Sequence, residues 1–456
     1  MNAIVSQKKV GASWACNLVL VVPLIVLLSG CGIKGWMDDI IGRNEVPLPG
    51  QRIPVMINEP HLEPDPRVSD LRVLLPTPVD NVNWAQAGGN AVHAMHHLKI
   101  PIDVREVWEQ SIGEGSSDER RLVARPIVAD GFVFAMDAEF EVSAFEITTG
   151  KRIWTFNPEV PEEDEETFGG GIAYEGGRVF MSTGFGQLIA VRADNGTELW
   201  RGGLPGPSRS GPTVGNGRVF VVTIDNQTVA FDVETGKKLW THSGVSESAG
   251  LLGGASPALI GSTVIVPYSS GELVALRINN GRVVWSDRLA SVRKTDTLAS
   301  VAHIRGHPVI DRGVVYAISH SGRLVAIDLR TGSRIWERSI GGSETPWVVG
   351  NFIYVVSNQG DLYCLTRLGG RVRWIQPLPR YDDPEDKEGL IKWFGPVLAS
   401  NRLMVVSNFG EVLSISPYTG KFLSKLELSD PLSVPPVVAG GSIFFLSDDA
   451  DLIVYR

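Results

Sequence analysis

Apolar and polar residues alternate along this chain with the short period of β-strands, and the alternation is itself repeated. Within 308–336, Pro308-Val309-Ile310, Val314-Val315-Tyr316-Ala317-Ile318 and Leu324-Val325-Ala326-Ile327 form three short β-rich runs, and Arg334-Ile335-Trp336 opens a fourth. Runs of β-branched and aromatic residues separated by Gly and polar pairs are a strand signature. Stretches of helical period and useful length are absent. The phrase recurs between 108 and 425, each time with a turn that ends in Gly and a Trp four residues later: Gly150 and Trp154, Gly196 and Trp200, Gly236 and Trp240, Gly281 and Trp285, Gly332 and Trp336, Gly370 and Trp374. The seventh turn, at Gly420, has Ser424 in the Trp place. Counted from Trp108, successive steps run from 38 to 51 residues, the size of one four-stranded blade.

The pattern predicts an all-β protein, an eight-bladed β-propeller with four-stranded antiparallel blades. The last repeat supplies three strands, at 436–438, 442–446 and 452–455. Its fourth is expected from 104–108, so that the N-terminal strand pairs with the C-terminal strands and covers an edge open to aggregation. The Thr-Gly and Asn-Gly turns read as two-residue hairpins, because Gly accepts a positive φ. Each Trp reads as structural, its face packed between blades and its N–H bonded.

The chain ahead of the propeller is patterned differently. Lys8 and Lys9 precede an apolar run at 18–28, too short to span a bilayer and suited to a secretory leader. The run ends in Leu28-Ser29-Gly30-Cys31, which resembles the bacterial lipobox. That resemblance implies cleavage before Cys31 and lipidation of its thiol, and several acyl chains anchor stably where one does not. Gly32 in place of Asp after the Cys implies the outer membrane, with the body facing the periplasm. The expected organisation is a signal peptide at 1–30, a lipidated Cys with a Pro-rich extended tether at 31–80, and the propeller at 81–456.

Composition narrows the chemistry. The net charge is −9, more negative once Lys8 and Lys9 are removed, and no basic stripe exists to meet phosphates, which argues against nucleic-acid binding. Of three cysteines, Cys16 lies in the leader, Cys31 is blocked, and Cys364 sits in a strand run as a buried thiol. His93, His96 and His97 cluster without a carboxylate or Cys at a supportive spacing, so they read as a segment packing over the propeller rather than as metal ligands. The acidic runs at 162–166 and 382–386 lack the ligand alternation of a calcium loop and read as solvated. No Gly-x-Ser-x-Gly elbow, His-Glu-x-x-His pair or helix-opening glycine cradle is present.

The stretch Gly322-Arg323-Leu324-Val325-Ala326-Ile327-Asp328-Leu329-Arg330-Thr331-Gly332-Ser333-Arg334-Ile335-Trp336 resembles the tryptophan-docking repeat of quinoprotein propellers. Two groups share it: enzymes that use pyrroloquinoline quinone, and the non-enzymatic BamB lipoproteins of the machinery that assembles outer-membrane β-barrels. The enzymes carry an adjacent Cys-Cys pair and long insertions, and this chain has neither, so it is identified as similar to the lipoproteins. The alternatives are a quinone-dependent dehydrogenase-like enzyme and another ligand-binding propeller lipoprotein. The lipoprotein resemblance implies no cofactor and no catalytic or metal site. It implies docking on the POTRA domains of the barrel-inserting subunit BamA, and handling of nascent outer-membrane proteins as a second role. Matching blade entries places the contact on Leu251 and Leu252 in the 246–254 loop, and on His303 and Arg305 in 296–305. Leu252 stands where the family has Arg, and His303 and Arg305 stand where it has acids.

Overall fold

The computed structural model describes residues 62–159, 169–208, 210–247, 250–290 and 301–456. The expectations for the leader, Cys31, most of the tether, the acidic run at 162–166 and the first part of 296–305 lie outside these residues.

Eight four-stranded antiparallel sheets follow one another around a ring. Seven are contiguous in sequence, at 127–156, 171–203, 213–243, 258–288, 309–338, 347–377 and 393–427, and are called blades 1 to 7. Blade 8 combines Val437–Ala439, Ser442–Leu446 and Asp451–Tyr455 with Glu106–Ser111. In that closure Trp108 pairs with Val454, Glu109 with Ile453 and Gln110 with Leu452, as the truncated last repeat predicts. A small hairpin, Tyr381–Asp383 with Glu388–Leu390, stands between blades 6 and 7.

Burial grades outward along each blade. In blade 5 the inner strand Val309–Asp311 is wholly buried, Val314–Ser319 nearly so, and the outer strand Arg334–Arg338 buries only Trp336. Inner and middle strands have neighbouring blades on both faces, so they read as continuous apolar runs; the outer strand keeps one apolar contact and turns charges to water.

In every blade but blade 7, a buried or half-buried Trp of the outer strand locks its blade to the next. Trp108, Trp154, Trp200, Trp240, Trp285, Trp336 and Trp374 donate their indole N–H to the carbonyls of Ile147, Ala193, Val233, Ile278, Leu329, Arg367 and Pro417, at 2.8 to 3.3 Å. Each ring lies on the turn Gly of the following blade. A β-carbon on Gly236 would sit 2.4 Å from Cε3 of Trp200, and the residue's φ is +65°, so Gly is required there twice over.

These turns are longer than the two-residue hairpins expected. Asp232 N–H donates to the Lys237 carbonyl and Gly236 N–H to the Asp232 carbonyl, which leaves four residues in the loop. The Asp232 carboxylate accepts from Thr235 N–H and Oγ1, and the strand register shifts between Ala230 and Phe231. The extra residues carry the loop across to the neighbouring Trp, which a two-residue turn could not reach.

Residues 81–98 run across one end of the ring and bond to every blade. Trp84 exchanges both backbone hydrogen bonds with Val128, Ala85 accepts from Tyr174 N–H, and the Gln86 amide pairs with both backbone groups of Val214. Ala91 accepts from Leu259 N–H, Val92 from Ile310 N–H, and His96 from the Trp347 indole. Leu98 donates to the Leu398 carbonyl and accepts from Ser400 N–H, while Asn81 accepts from Gly440 N–H and donates to the Val438 carbonyl. The histidines belong to this strap: His93 Nδ1 meets the Pro308 carbonyl at 2.8 Å and His97 Nδ1 meets the Pro76 carbonyl at 2.6 Å.

Residues 62–80, expected within the extended tether, are also held by the blades. Asp65 N–H donates to the Val372 carbonyl, Arg373 Nε donates to the Leu71 carbonyl, and Val73 is buried. Proline limits this segment to a single 3-10 turn, Pro66–Val68, capped by Asp65, but it leaves carbonyls and apolar side chains free to pack.

Candidate docking face

Antiparallel strands place the turns within a blade's first and third hairpins at one end of the ring, the end that carries the strap. The second hairpins and the blade-to-blade connections lie at the other. The 250–254 and 303–305 segments are two such connections, from blade 3 to blade 4 and from blade 4 to blade 5, side by side on the strap-free end.

The structure brings the four expected residues together in one bonded unit. Leu251 N–H donates to His303 Nδ1 at 2.9 Å, and Arg305 Nε donates to the Leu252 carbonyl at 3.0 Å. Leu251 is half-buried and the Leu252 side chain is 43% exposed, so an apolar surface stands out between the two loops. His303, expected as a contact residue, is buried because its ring fills the space beneath the Leu251 backbone and braces the loop. Arg305 is half-buried, its Nη1 bonded to Glu344 Oε1 at 2.7 Å. It too supports the loop while presenting part of its guanidinium to solvent. Beside this unit lies a cavity of about 310 Å³ whose walls include Asp225, Asn226, Glu247, Ser269 and His303. Asp225 and Glu247 are exposed and give its rim negative charge next to the apolar leucines.

Sequence reasoning missed two residues that complete this end of the molecule, Glu344 and Arg125. Glu344 is buried, with Arg305 on one oxygen and Arg125 at 3.8 Å from the other. A signal was available for Arg125. The residue before the proline that opens an inner strand is Gly211, Ser256, Thr345 or Gly395 in four blades, but Arg125 in blade 1 and His307 in blade 5. A charge or imidazole at a position otherwise kept small points into the axis. Among the described residues no group of His, Cys, Asp and Glu is arranged to hold a metal ion. Cys364 is buried within blade 6, and burial drives its thiol pKa upward, which leaves it an inert packing group.

An apolar loop pair with an acidic rim, carried on a ring whose other end is strapped, belongs to a β-propeller of the tryptophan-locked kind. The model of the family described as outer membrane protein assembly factor BamB matches residues 138–376. The factor of that name from Salmonella typhimurium is 32% identical over 350 residues, which cover 75% of this chain and 86% of the relative. The chain belongs to the BamB family. The crystal structure of BamB from Moraxella catarrhalis superposes with a TM-score of 0.66 at 21% identity, over 78% of this chain and 100% of that one. A quinohemoprotein alcohol dehydrogenase from Pseudomonas putida gives 0.64 at 14% identity, over 84% and 83%, a likeness of fold alone.

Proposed function

We propose that this chain is a non-enzymatic periplasmic scaffold of the outer-membrane β-barrel assembly complex, and that it docks through its strap-free end on the POTRA domains of the BamA subunit. Membership of the BamB family carries the reading, and the braced Leu251–Leu252 loop gives it a surface. A rigid ring loses little conformational entropy on binding, and a half-exposed apolar pair within a polar rim is the usual form of an interface anchor. In this reading His303 and Arg305 act chiefly by holding the loop, with the free part of Arg305 offering charge to an acidic partner group.

A quinone cofactor needs a deep pocket, and the axis of this ring offers little room for one. The space that remains among Arg125, Arg305 and His307 is about 50 Å³, against the several hundred that a cofactor pocket occupies, and the strap closes the far end. Anchoring is proposed through Cys31. The lipobox-like Leu28-Ser29-Gly30-Cys31 supports this, since several acyl chains anchor stably; among the described residues no helix is long and apolar enough to cross a membrane.

The test is co-purification. Leu251→Asp with Leu252→Asp is expected to abolish recovery of the barrel-inserting subunit with tagged protein from detergent-solubilised envelopes, while the melting temperature of the purified variant stays that of the parent. Undiminished recovery would remove this loop from the interface. Cys31→Ala is expected to shift the protein from the membrane pellet to the soluble fraction.

A further inference from the structure

We propose that the open end of the propeller axis is a binding site for one small oxyanion, held by the guanidinium groups of Arg125 and Arg305 and by the imidazole of His307. The three residues enter from the openings of blades 1 and 5, and together with Ser343 and the side-chain-free Gly170 and Gly253 they line the axial cavity of about 50 Å³. One water fills roughly 10–15 Å³ on such a measure, so the space suits a group the size of phosphate or a carboxylate. It opens only toward the docking end, since residues 81–98 cross the other.

Charge selects the ligand. Two guanidiniums face one carboxylate, Glu344, and the two are unequally satisfied. Arg305 bonds to Glu344 at 2.7 Å, to the Leu252 carbonyl at 3.0 Å and to the Ser343 carbonyl at 3.4 Å. Among the described residues Arg125 has only the Ala87 carbonyl at 3.5 Å and Glu344 at 3.8 Å, although its side chain is only 16% exposed and carries five N–H donors. A guanidinium held out of water with its donors so poorly used is unfavourable unless an acceptor of opposite charge meets it. Burial lowers the Arg125 pKa to about 10, which leaves it charged at neutral pH. His307 Nδ1 accepts from Ser256 N–H at 2.9 Å, so the proton of the neutral ring resides on Nε2 and makes that edge a donor. Burial, with Arg125 close by, holds His307 well below its ordinary pKa. The site is thus a cradle of donors with a single fixed negative charge, and Arg305 ties it to the Leu252 loop.

Isothermal titration calorimetry of the full chain in detergent, with inorganic phosphate and separately with acetate at matched ionic strength, tests the assignment. Saturable one-site binding of at least one anion is expected, weakened about tenfold or more in Arg125→Gln. Phosphate alone identifies a phosphoryl ligand, and comparable binding of acetate identifies a carboxylate. A second measurement needs no variant: the bound anion should slow phenylglyoxal modification of Arg125, read by mass spectrometry, and leave the exposed Arg330 unaffected. No saturable heat from either anion up to about 10 mM, in the millimolar range where weak ion sites fall, overturns the proposal. So does binding that Arg125→Gln leaves unchanged, or Arg125 modification that proceeds at the same rate with and without anion.

Discussion

At the scale of single residues, the axis of the ring concentrates groups whose charge state depends on burial. His93 is buried, its Nδ1 on the Pro308 carbonyl and its ring 5.0 Å from that of His307. Desolvation, with the nearby Arg125 charge adding to it and the Pro308 bond opposing it, drives its pKa from 6.5 down to about 4. The unfolded chain therefore takes up a proton between pH 6.5 and 4 that the folded chain does not. The stability tied to this group is complete above pH 6.5 and declines as pH falls toward 4, by roughly 3 kcal/mol for a shift of this size. Urea midpoints measured from pH 7 to 5 should fall, and fall less steeply in His93→Asn, by about one proton in the linkage slope. Asn suits the site because His93 has φ of +59° and Asn tolerates that region best after Gly. Equal slopes would show that His93 titrates alike in the folded and unfolded chains. The sequence displayed this histidine cluster and its poverty of metal partners. What it could not display is that His307, some two hundred residues further on, shares the same pocket, since only ring closure brings blade 5 against the strap.

Among elements, the decisive unit is the pair formed by one blade's Trp and the next blade's turn. The six Gly–Trp spacings and the seventh turn at Gly420 were legible along the chain and located the third and fourth strands of blades 1 to 7. Their partnership was not, because each Gly packs beneath the Trp of the preceding repeat rather than its own. Turn length was misread for the same reason: the Thr-Gly and Asn-Gly pairs signal a hairpin, while the distance to a neighbouring blade sets how many residues it needs. The one absent Trp follows from the closure. Ser424 faces blade 8, whose third and fourth strands come from opposite ends of the domain and have no connecting turn between them, so an indole there would find neither a glycine nor a carbonyl of the usual kind. This joint instead belongs to the apolar cluster that joins Leu403, Met404 and Val405 to Val437 and Phe444. Trp240→Phe should cost about 1–2 kcal/mol, because it strands the Ile278 carbonyl that the indole meets at 2.8 Å. Ser424→Trp should bring no gain beyond about 0.5 kcal/mol, the ordinary range of a surface change. Urea denaturation of both variants checks the pair, and a clear stabilisation by Ser424→Trp would show that blade 8 does offer a docking turn.

Taken as a whole molecule, the propeller is a repeat protein made cooperative by two devices, the mixed strand pairing of blade 8 and the strap. Linear repeat arrays behave as chains of nearest-neighbour units that can fray from an end. Here the ring has no end, and residues 81–98 hold a hydrogen bond on each of the eight blades. The closure was readable from the missing fourth strand of the last repeat. The strap was only partly so, for its backbone bonds leave no periodic trace in side-chain pattern, and the Pro-rich stretch at 62–80 looks in sequence like a free tether. If closure and strap transmit stability around the ring, a defect in one blade must be felt in all. Deleting 451–456 removes the strand that pairs with both Ser442–Leu446 and Glu106–Ser111. Hydrogen exchange should then accelerate throughout, including at the amides of Leu259 and Ile310, which donate to the strap from blades 4 and 5, on the far side of the ring. Protection retained at those two amides, with loss confined to blades 8 and 1, would mean that the blades open independently. The proposed docking through the Leu251–Leu252 loop would gain from such cooperativity, because a blade that cannot loosen by itself holds its loops in one shape and loses little entropy on binding.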